Sequence, residues 1–328
     1  MIKEGMFYEK ANGFVECRIC PNKCRIRENG IGACDVRICI EGKIKSINYG
    51  EISSIGLDPI EKKPLFHFKP GKYILSVGSF GCNFKCGFCQ NYSISFGRPQ
   101  TKYIEPKELV DLAEDMKIKG NVGIAFTYNE PTIWYEYVYD TSKVAKEKSI
   151  DVVLVTNGYI NKEPLEYLLP YIDAMNIDLK AFNKNFYKDI CKGKMESVLK
   201  TIEMSSNICH IEITTLLING YNDSKEEIKQ LCKFISNINP NIPLHLTRYY
   251  PMYKFSQPAT PIEKILECRD IALEYLNYVY IGNVQGIDEN TYCPDCGCII
   301  VERRGYNINL SISENKCPRC GKKINIVI

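Results

Sequence analysis

From Tyr73 to Ile281 short apolar runs alternate with longer amphipathic stretches whose apolar positions recur at helical spacing. The runs predict strands at Tyr73–Val77, Val122–Phe126, Val152–Thr156, Ala174–Asp178, His210–Leu217, Pro243–Thr247 and Tyr278–Ile281. Between them the spacing predicts helices over Glu105–Ile118, Pro131–Lys148, Lys162–Leu169, Met195–Ser205, Ser224–Ser236 and Pro261–Leu276, several with Pro or a capping Ser or Thr near the start. Six helices following six strands is the pattern of repeated βα units around a parallel sheet, and it predicts an α/β domain of barrel-like or doubly wound form. Ligands in such folds bind at the C-terminal ends of the strands, so polar residues there become functional candidates.

The flanks lack this rhythm. Residues 1–72 hold a cysteine group and a Gly-, Pro- and Lys-containing segment, Gly42 to Gly71, and predict a small metal-stapled cap with short strands. Residues 286–328 carry cysteine knuckles and β-prone runs such as Ile299-Ile300-Val301, a separate module. Residues 73–285 form the α/β domain between them. In a chain of 328 residues, 45% hydrophobic and 25% charged residues exclude wholesale disorder and a fibrous rod. The formal charge of +3 gives no argument for nucleic acid or an anionic membrane. No run of eighteen apolar residues occurs, and Met1 to Gly5 lead into cysteines rather than an apolar signal stretch, so the chain is expected to stay in the cytoplasm, off the membrane.

Seventeen cysteines change the picture most. In a reducing compartment they read as metal ligands or buried thiols rather than disulfides. Eleven fall into three groups: Cys17, Cys20, Cys24 and Cys34; Cys82, Cys86 and Cys89; and Cys293, Cys296, Cys317 and Cys320. Cys39, Cys191, Cys209, Cys232 and Cys268 read as small buried hydrophobes, and Cys298 adjoins a group. The central group, in Gly81-Cys82-Asn83-Phe84-Lys85-Cys86-Gly87-Phe88-Cys89, follows the first strand, where a loop lies at the top of the sheet. A structural zinc site closes with four ligands. Three cysteines on a four-iron cluster instead leave one iron open to substrate or cofactor. The alternative is a zinc site completed from elsewhere, by His67 for instance.

Cys-x3-Cys-x2-Cys with an aromatic, Phe88, before the last cysteine resembles the signature of the radical SAM superfamily. The resemblance implies a partial (β/α)6 TIM-like barrel with a [4Fe-4S] cluster at its mouth and small cysteine-rich appendages at either end. It implies that the open iron chelates S-adenosylmethionine, and that one electron from the cluster splits the sulfonium into methionine and a 5′-deoxyadenosyl radical. That radical abstracts hydrogen from a substrate, while the protein binds, orients and excludes water. Phe88 then belongs to the cofactor site. Thr127-Tyr128-Asn129-Glu130-Pro131-Thr132 stands where the family's acidic loop holds the methionyl ammonium, making Asn129 or Glu130 the acceptor; Glu130-Pro131 also reads as a helix N-terminus. Thr156-Asn157-Gly158 and Asp178-Leu179-Lys180 resemble motifs of pyruvate formate-lyase activating enzymes that contact cofactor or substrate. Thr156, Asn157 and Asp178 are thereby cofactor-binding candidates and Lys180 a catalytic one. His245 lies roughly where those activators place a histidine near the adenosyl group, against the plainer reading of a packed core histidine. Val155 departs from them, standing where they carry an acidic residue on which a cation site would depend.

The flanks narrow the resemblance. Cys17-x2-Cys20-Pro21-x2-Cys24, Gly30-x-Gly32-x-Cys34 and Asp58-Pro59-Ile60-Glu61-Lys62-Lys63-Pro64-Leu65-Phe66-His67-Phe68 look like the radical SAM member of the AmmeMemoRadiSam system. That implies Memo-like and AMMECR-type partner proteins, a one-electron donor of flavodoxin or ferredoxin type and, by analogy with activating enzymes, a protein substrate; nucleic acid is not expected. In the tail, Cys293-x2-Cys296-Gly297 and Cys317-x2-Cys320-Gly321 read as a tetrahedral S4 site for zinc, or for rubredoxin-type iron. This would be a docking module or a staple. The N-terminal four read as structural zinc or a second iron–sulfur cluster, with Arg18, Lys23, Arg25 and Arg27 interleaved. Two rival functions remain at this level: a non-catalytic iron–sulfur or zinc protein for electron transfer or interaction, and a radical SAM enzyme modifying RNA or a small molecule.

Overall fold

The computed structural model describes residues 2–328. Eight strands lie side by side in chain order: β1 (Ser54–Pro59), β2 (Tyr73–Gly78), β3 (Asn121–Phe126), β4 (Asp151–Thr156), β5 (Ala174–Asp178), β6 (His210–Leu217), β7 (Leu244–Arg248) and β8 (Val279–Gly282). β2 to β8 are parallel, while β1 runs antiparallel to β2 with Ser54 opposite Gly78 and Pro59 opposite Tyr73. Six helices connect the parallel strands: α1 (Pro106–Asp115), α2 (Tyr135–Glu147), α3 (Lys162–Leu168), α4 (Met195–Ser205), α5 (Lys225–Ile238) and α6 (Ile262–Leu273). Their starts follow from local chemistry: Glu105 and Glu108 form a capping box before Pro106, and the Ser224 hydroxyl accepts from Glu227 N.

The expected elements are present with boundaries moved by a few residues, as at β7, which starts one residue late. The expected helix from Pro131 is split, because Pro131–Trp134 forms a 3-10 turn ahead of α2. The fold class is thus mixed α/β around a parallel sheet. Alternation along the strands separates two cores. Leu75, Val77, Ile124, Phe126, Val152, Leu154, Met175 and Ile177 face the helices in the main core. Ile74, Ala125, Val153 and Ala174 face inward and pack on Ile60, Leu65 and Phe68.

That inner cluster corrects the expected cap of residues 1–72. The segment from Ser54 is not cap: β1 joins the sheet, and residues 60–68 plug its interior, where Ala125 and Ala174 leave room for Leu65 and Phe68. The cap proper is two small antiparallel sheets, Lys3–Glu4 with Lys43–Ser46 and Arg37–Ile40, and Tyr8–Ala11 with Phe14–Cys17 and Arg25–Ile26. A buried ion pair fastens it to α2: Arg37 Nη1 and Nη2 donate to the two Glu136 carboxylate oxygens at 3.0 and 2.7 Å. At the other end Thr291–Tyr292, Ile299–Arg304 and Asn307–Leu310 make a three-stranded antiparallel sheet. Its core of Ile300, Val301, Ile324 and Ile326 closes over Phe66, Tyr278 and Tyr280 beneath the plug.

Candidate active site

At the C-terminal ends of the strands one cavity of about 400 Å³ takes side chains from the β2 loop, the loops after β3, β4 and β5, and from β6 and β7. The sheet is therefore curved into a partial barrel, with the plug residues Lys62, Lys63 and Pro64 forming the cavity floor. Cys82, Cys86 and Cys89 line it together with Phe88, Asn129, Glu130, Asn157, Asp178 and Lys180. Of the residues singled out from the sequence for this site, Thr156 and His245 are not on its wall.

The cysteine loop is held from every side. Asn129 braces its entry, its Oδ1 accepting from Ser79 N at 2.8 Å and its Nδ2 donating to Gly81 O at 3.2 Å. Gly81 sits at φ +89°, and a Cβ there would lie 2.6 Å from the Cys34 carbonyl of the cap, so only glycine fits. Further on, Lys85 N donates to Cys191 O at 2.9 Å and Lys254 N to Gly87 O at 2.9 Å. Phe84 packs on Tyr159 and Phe88 against Phe186 and Phe255. Phe84 N at 3.4 Å and Asn157 Nδ2 at 3.8 Å point at the Cys82 sulfur, the kind of N–H donor that tunes an iron–sulfur cluster. Burial pushes the Cys82 and Cys89 thiols up, so it is a bound metal that would keep them as thiolates.

Glu130 is buried and sits at the helix start that the sequence also offered for it. Its Oε1 accepts from Thr132 N at 2.9 Å, capping the turn before α2, and from Thr156 Oγ1 at 2.7 Å; its Oε2 accepts from Asn157 N at 2.8 Å. Thr156 thus acts through Glu130 rather than on the cavity. The Thr132 side chain adds a fourth bond to the same carboxylate, against burial, which pushes it up. Lys180 Nζ lies 2.6 Å from Asp178 Oδ2. Burial opposes its charge, yet Asp178 and the Cys86 sulfur outweigh it and hold the lysine above its ordinary range.

Sequence reasoning passed over three wall residues. Lys63, almost wholly buried, pairs with Asp58 at 2.8 Å, and Asp58 also accepts from the Tyr128 hydroxyl at 2.8 Å. Tyr128 stands at φ +69°, which turns its ring onto the floor. Thr214 Oγ1 is buried and has no partner within the protein. Lys63 could have been flagged as one of two adjacent lysines inside an apolar run; a lone Thr on a strand carries no signal.

His245 lies a layer deeper. Its Nε2 is 2.7 Å from Glu212 Oε2, among Phe66 and Tyr280. It is packed in the core and does not line the cavity. The reason is register: Thr247, two residues on along the same strand face, occupies the wall instead.

Both flanking cysteine groups come together. Cys293 and Cys320 sulfurs are 3.6 Å apart and those of Cys296 and Cys317 3.5 Å, with all four ligand atoms within 4.8 Å of one another, an arrangement that could hold a metal ion. Cys17, Cys20, Cys24 and Cys34 line a second, small cavity under the cap.

The sequence profile of the Radical SAM superfamily matches residues 76–235. Along its whole length the chain is 44% identical to an uncharacterized protein of Methanocaldococcus jannaschii, covering 100% of each. It is 32% identical to another protein of that organism, named "Putative glycyl-radical enzyme activating enzyme MJ1632", over 62% of this chain and 79% of that one. Against the pyruvate formate-lyase-activating enzyme of Clostridium pasteurianum identity is 28%, over 52% of this chain and 73% of that one. Among solved structures, Streptococcus suis SuiB bound to S-adenosylmethionine superposes with a TM-score of 0.53 at 16% identity. The match covers 65% of this chain and about half, 52%, of that one, a likeness of fold alone.

Proposed function

Because the chain belongs to the radical SAM superfamily, whose members bind a [4Fe-4S] cluster and S-adenosylmethionine, we propose that it cleaves S-adenosylmethionine reductively and abstracts a hydrogen atom from a protein substrate. Three cysteines lining one cavity at the sheet's C-terminal ends, beside a charge pair, carry this reading. Bound there, the cluster supplies one electron to the sulfonium, yielding methionine and a 5′-deoxyadenosyl radical.

Cys82, Cys86 and Cys89 hold the cluster as thiolates, and the Asn157 amide donates toward Cys82. Phe84 and Phe88 keep water from its flank. Glu130 is the acceptor for the methionyl ammonium in this reading, and it locks the β3 and β4 loops together. Lys180, kept charged by Asp178, faces the cavity as the partner for a carboxylate, and Thr214 offers an unspent hydroxyl for a ligand polar group. Relatives named as activating enzymes support a protein substrate and a reductant partner, for which a one-electron donor of flavodoxin or ferredoxin type is proposed from the resemblance. Memo-like and AMMECR-type proteins are the partners proposed from the cap and plug motifs. The C-terminal four cysteines, with contacts of 3.5 and 3.6 Å, fit one tetrahedral zinc. No helix among the described residues is long and apolar enough to cross a membrane.

The test is anaerobic. After reconstitution with iron and sulfide and reduction by dithionite, wild type is expected to release 5′-deoxyadenosine from S-adenosylmethionine and Cys86→Ala none. A wild-type sample with a reduced four-iron cluster that neither forms the product nor changes its EPR signal with S-adenosylmethionine would leave the electron-carrier reading in possession. Stimulation by a metabolite but by no co-occurring protein would overturn the protein substrate.

A further inference from the structure

Two lysines of the plug, Lys62 and Lys63, line the cavity at its floor, their side chains 45% and 4% exposed. An ammonium is costly to bury, and an apolar residue of similar size would serve packing at least as well. The fold nonetheless builds a place for Lys63. Asp58 Oδ2 accepts from Lys63 Nζ at 2.8 Å and from the Tyr128 hydroxyl at 2.8 Å, while Asp58 Oδ1 accepts from Lys62 Nζ at 3.3 Å. The centre of the Tyr128 ring lies 4.8 Å from Lys63 Nζ, a cation–π contact. Tyr128 reaches it from a backbone at φ +69°, packed so close to Gly78 that a Cβ there would lie 2.9 Å from the Tyr128 Cβ.

Two ammonium groups share one carboxylate, so this end of the cavity keeps a positive charge. Lys63 has three N–H donors and spends one on Asp58. Burial opposes its charge and Asp58 supports it. A desolvated cation with donors to spare suits an anion.

A second side chain gives an independent sign of a ligand. Thr214 is 7% exposed and lines the same cavity, and its Oγ1 has no partner within the protein. Buried polar atoms are nearly always paired, so an unpaired one calls for an explanation. Strand register puts it just above the plug. Asn176 on β5 and Glu212 on β6 lie side by side and hold the plug backbone, Asn176 Nδ2 donating to Pro64 O at 2.8 Å and Glu212 accepting from Phe66 N at 3.0 Å. Two residues on, the next inward layer is Asp178 beside Thr214. Asp178 is spent on Lys180 at 2.6 Å, which offsets its repulsion of an anion there.

We propose that Lys63 and Thr214 form a subsite that holds a carboxylate of the substrate, Lys63 as the cation and Thr214 as a hydroxyl donor, with Lys62 at its rim. That this carboxylate belongs to the molecule losing hydrogen rests on the radical SAM reading; on a protein substrate it is an acidic side chain or a chain end. The subsite changes no bond. It fixes one end of the substrate and leaves Glu130 and Lys180 to S-adenosylmethionine.

Reconstituted full-length protein, its cluster oxidised and S-adenosylmethionine in excess so that the cofactor's own carboxylate is already placed, is titrated calorimetrically with propionate, propionamide and inorganic phosphate. Propionate is expected to bind, propionamide about tenfold more weakly or worse, and Lys63→Gln and Thr214→Val each to weaken propionate several-fold, to about tenfold for Lys63→Gln. Thr214→Val breaks no hydrogen bond within the protein and decides the case should Lys63→Gln fail to fold. Propionate binding that is absent from wild type, or unchanged in either folded variant, overturns the subsite, and phosphate binding tighter than propionate overturns the carboxylate. The same samples, once reduced, report 5′-deoxyadenosine. Wild type that forms it yet ignores propionate refutes the subsite alone, whereas propionate binding sensitive to both substitutions, without cleavage of S-adenosylmethionine, refutes the radical SAM reading alone.

Discussion

Glu212 accepts four hydrogen bonds on two fully buried oxygens: from His67 N at 2.7 Å, Phe66 N at 3.0 Å, His210 Nε2 at 3.1 Å and His245 Nε2 at 2.7 Å. Burial opposes its charge, but the donors win and hold the carboxyl well below the usual range. Glu212→Gln turns an amide donor toward these donors, and should destabilise the protein by about 3 kcal/mol, read from its urea midpoint. A variant within about 0.5 kcal/mol of wild type would show that water replaces the lost bonds. Gly81→Ala is expected to cost about 2 kcal/mol or more, since it adds a Cβ against the Cys34 carbonyl at a left-handed φ. It should also lower iron retention at the mouth, checked by iron content after gel filtration. The cavity-lining cysteines were legible from their spacing, and Asn157 and Asp178 from the resemblance of their strand-end motifs. Glu212 stood in plain view as an acid inside a buried strand, yet its meaning came from His245 and the plug, each far away in sequence. Which layer of the sheet His245 faces is set by a register that no strand boundary good to a residue or two resolves.

At the scale of elements, periodicity exposed the six βα units because each packs one face on its neighbours. The plug had no such signature. Ile60, Leu65, Phe66 and Phe68 are interleaved with Glu61, Lys62, Lys63 and His67 at neither strand nor helix spacing, since the segment is surrounded on all sides inside the sheet. Its polar residues find partners there, as His67 does: Nδ1 lies 2.6 Å from Asn325 O and Nε2 2.6 Å from the Tyr280 hydroxyl. Nδ1 therefore donates to the carbonyl and Nε2 accepts. Burial pushes this imidazole from 6.5 down to about 3, so it stays neutral in the folded protein while the unfolded chain takes up a proton. Between those values the unfolded state binds more protons, and stability must fall as pH falls. From pH 6.5 to 4.5 the loss is about 2 kcal/mol. Urea midpoints of wild type and His67→Gln, compared at about pH 7.5 and 4.5, should show the larger acid loss in wild type. Parallel curves would assign the acid sensitivity elsewhere.

Across the whole molecule the appendages are joined to the barrel by different chemistry. Among the ties of the cap is one buried ion pair, so Glu136→Ala, which strands Arg37 without its partner, should destabilise by about 3 to 5 kcal/mol and loosen the cap first. Hydrogen exchange at residues 5–46 would report it as early loss of protection. The tail is tied by its apolar contact with Phe66, Tyr278 and Tyr280, and within it four cysteines form a group that could hold a metal ion. Cys317→Ser is expected to lower the melting temperature by about 5 °C or more, and a strong chelator to reproduce the effect in wild type. A chelator without effect would make the four cysteines mere packing.

The plug's lower end pairs with the tail: Val327 N donates to His67 O at 2.8 Å, Lys69 N donates to Val327 O at 2.7 Å, and His67 reaches Asn325 across 258 residues of chain. A ribosome delivers residues in order, at about 5 to 20 per second. Every strand of the sheet is therefore made well before the residues that fasten its floor. Through that interval Phe66, Tyr278 and Tyr280 lack their cover, and the nascent barrel exposes a sticky underside that a chaperone could shield until synthesis reaches Val327.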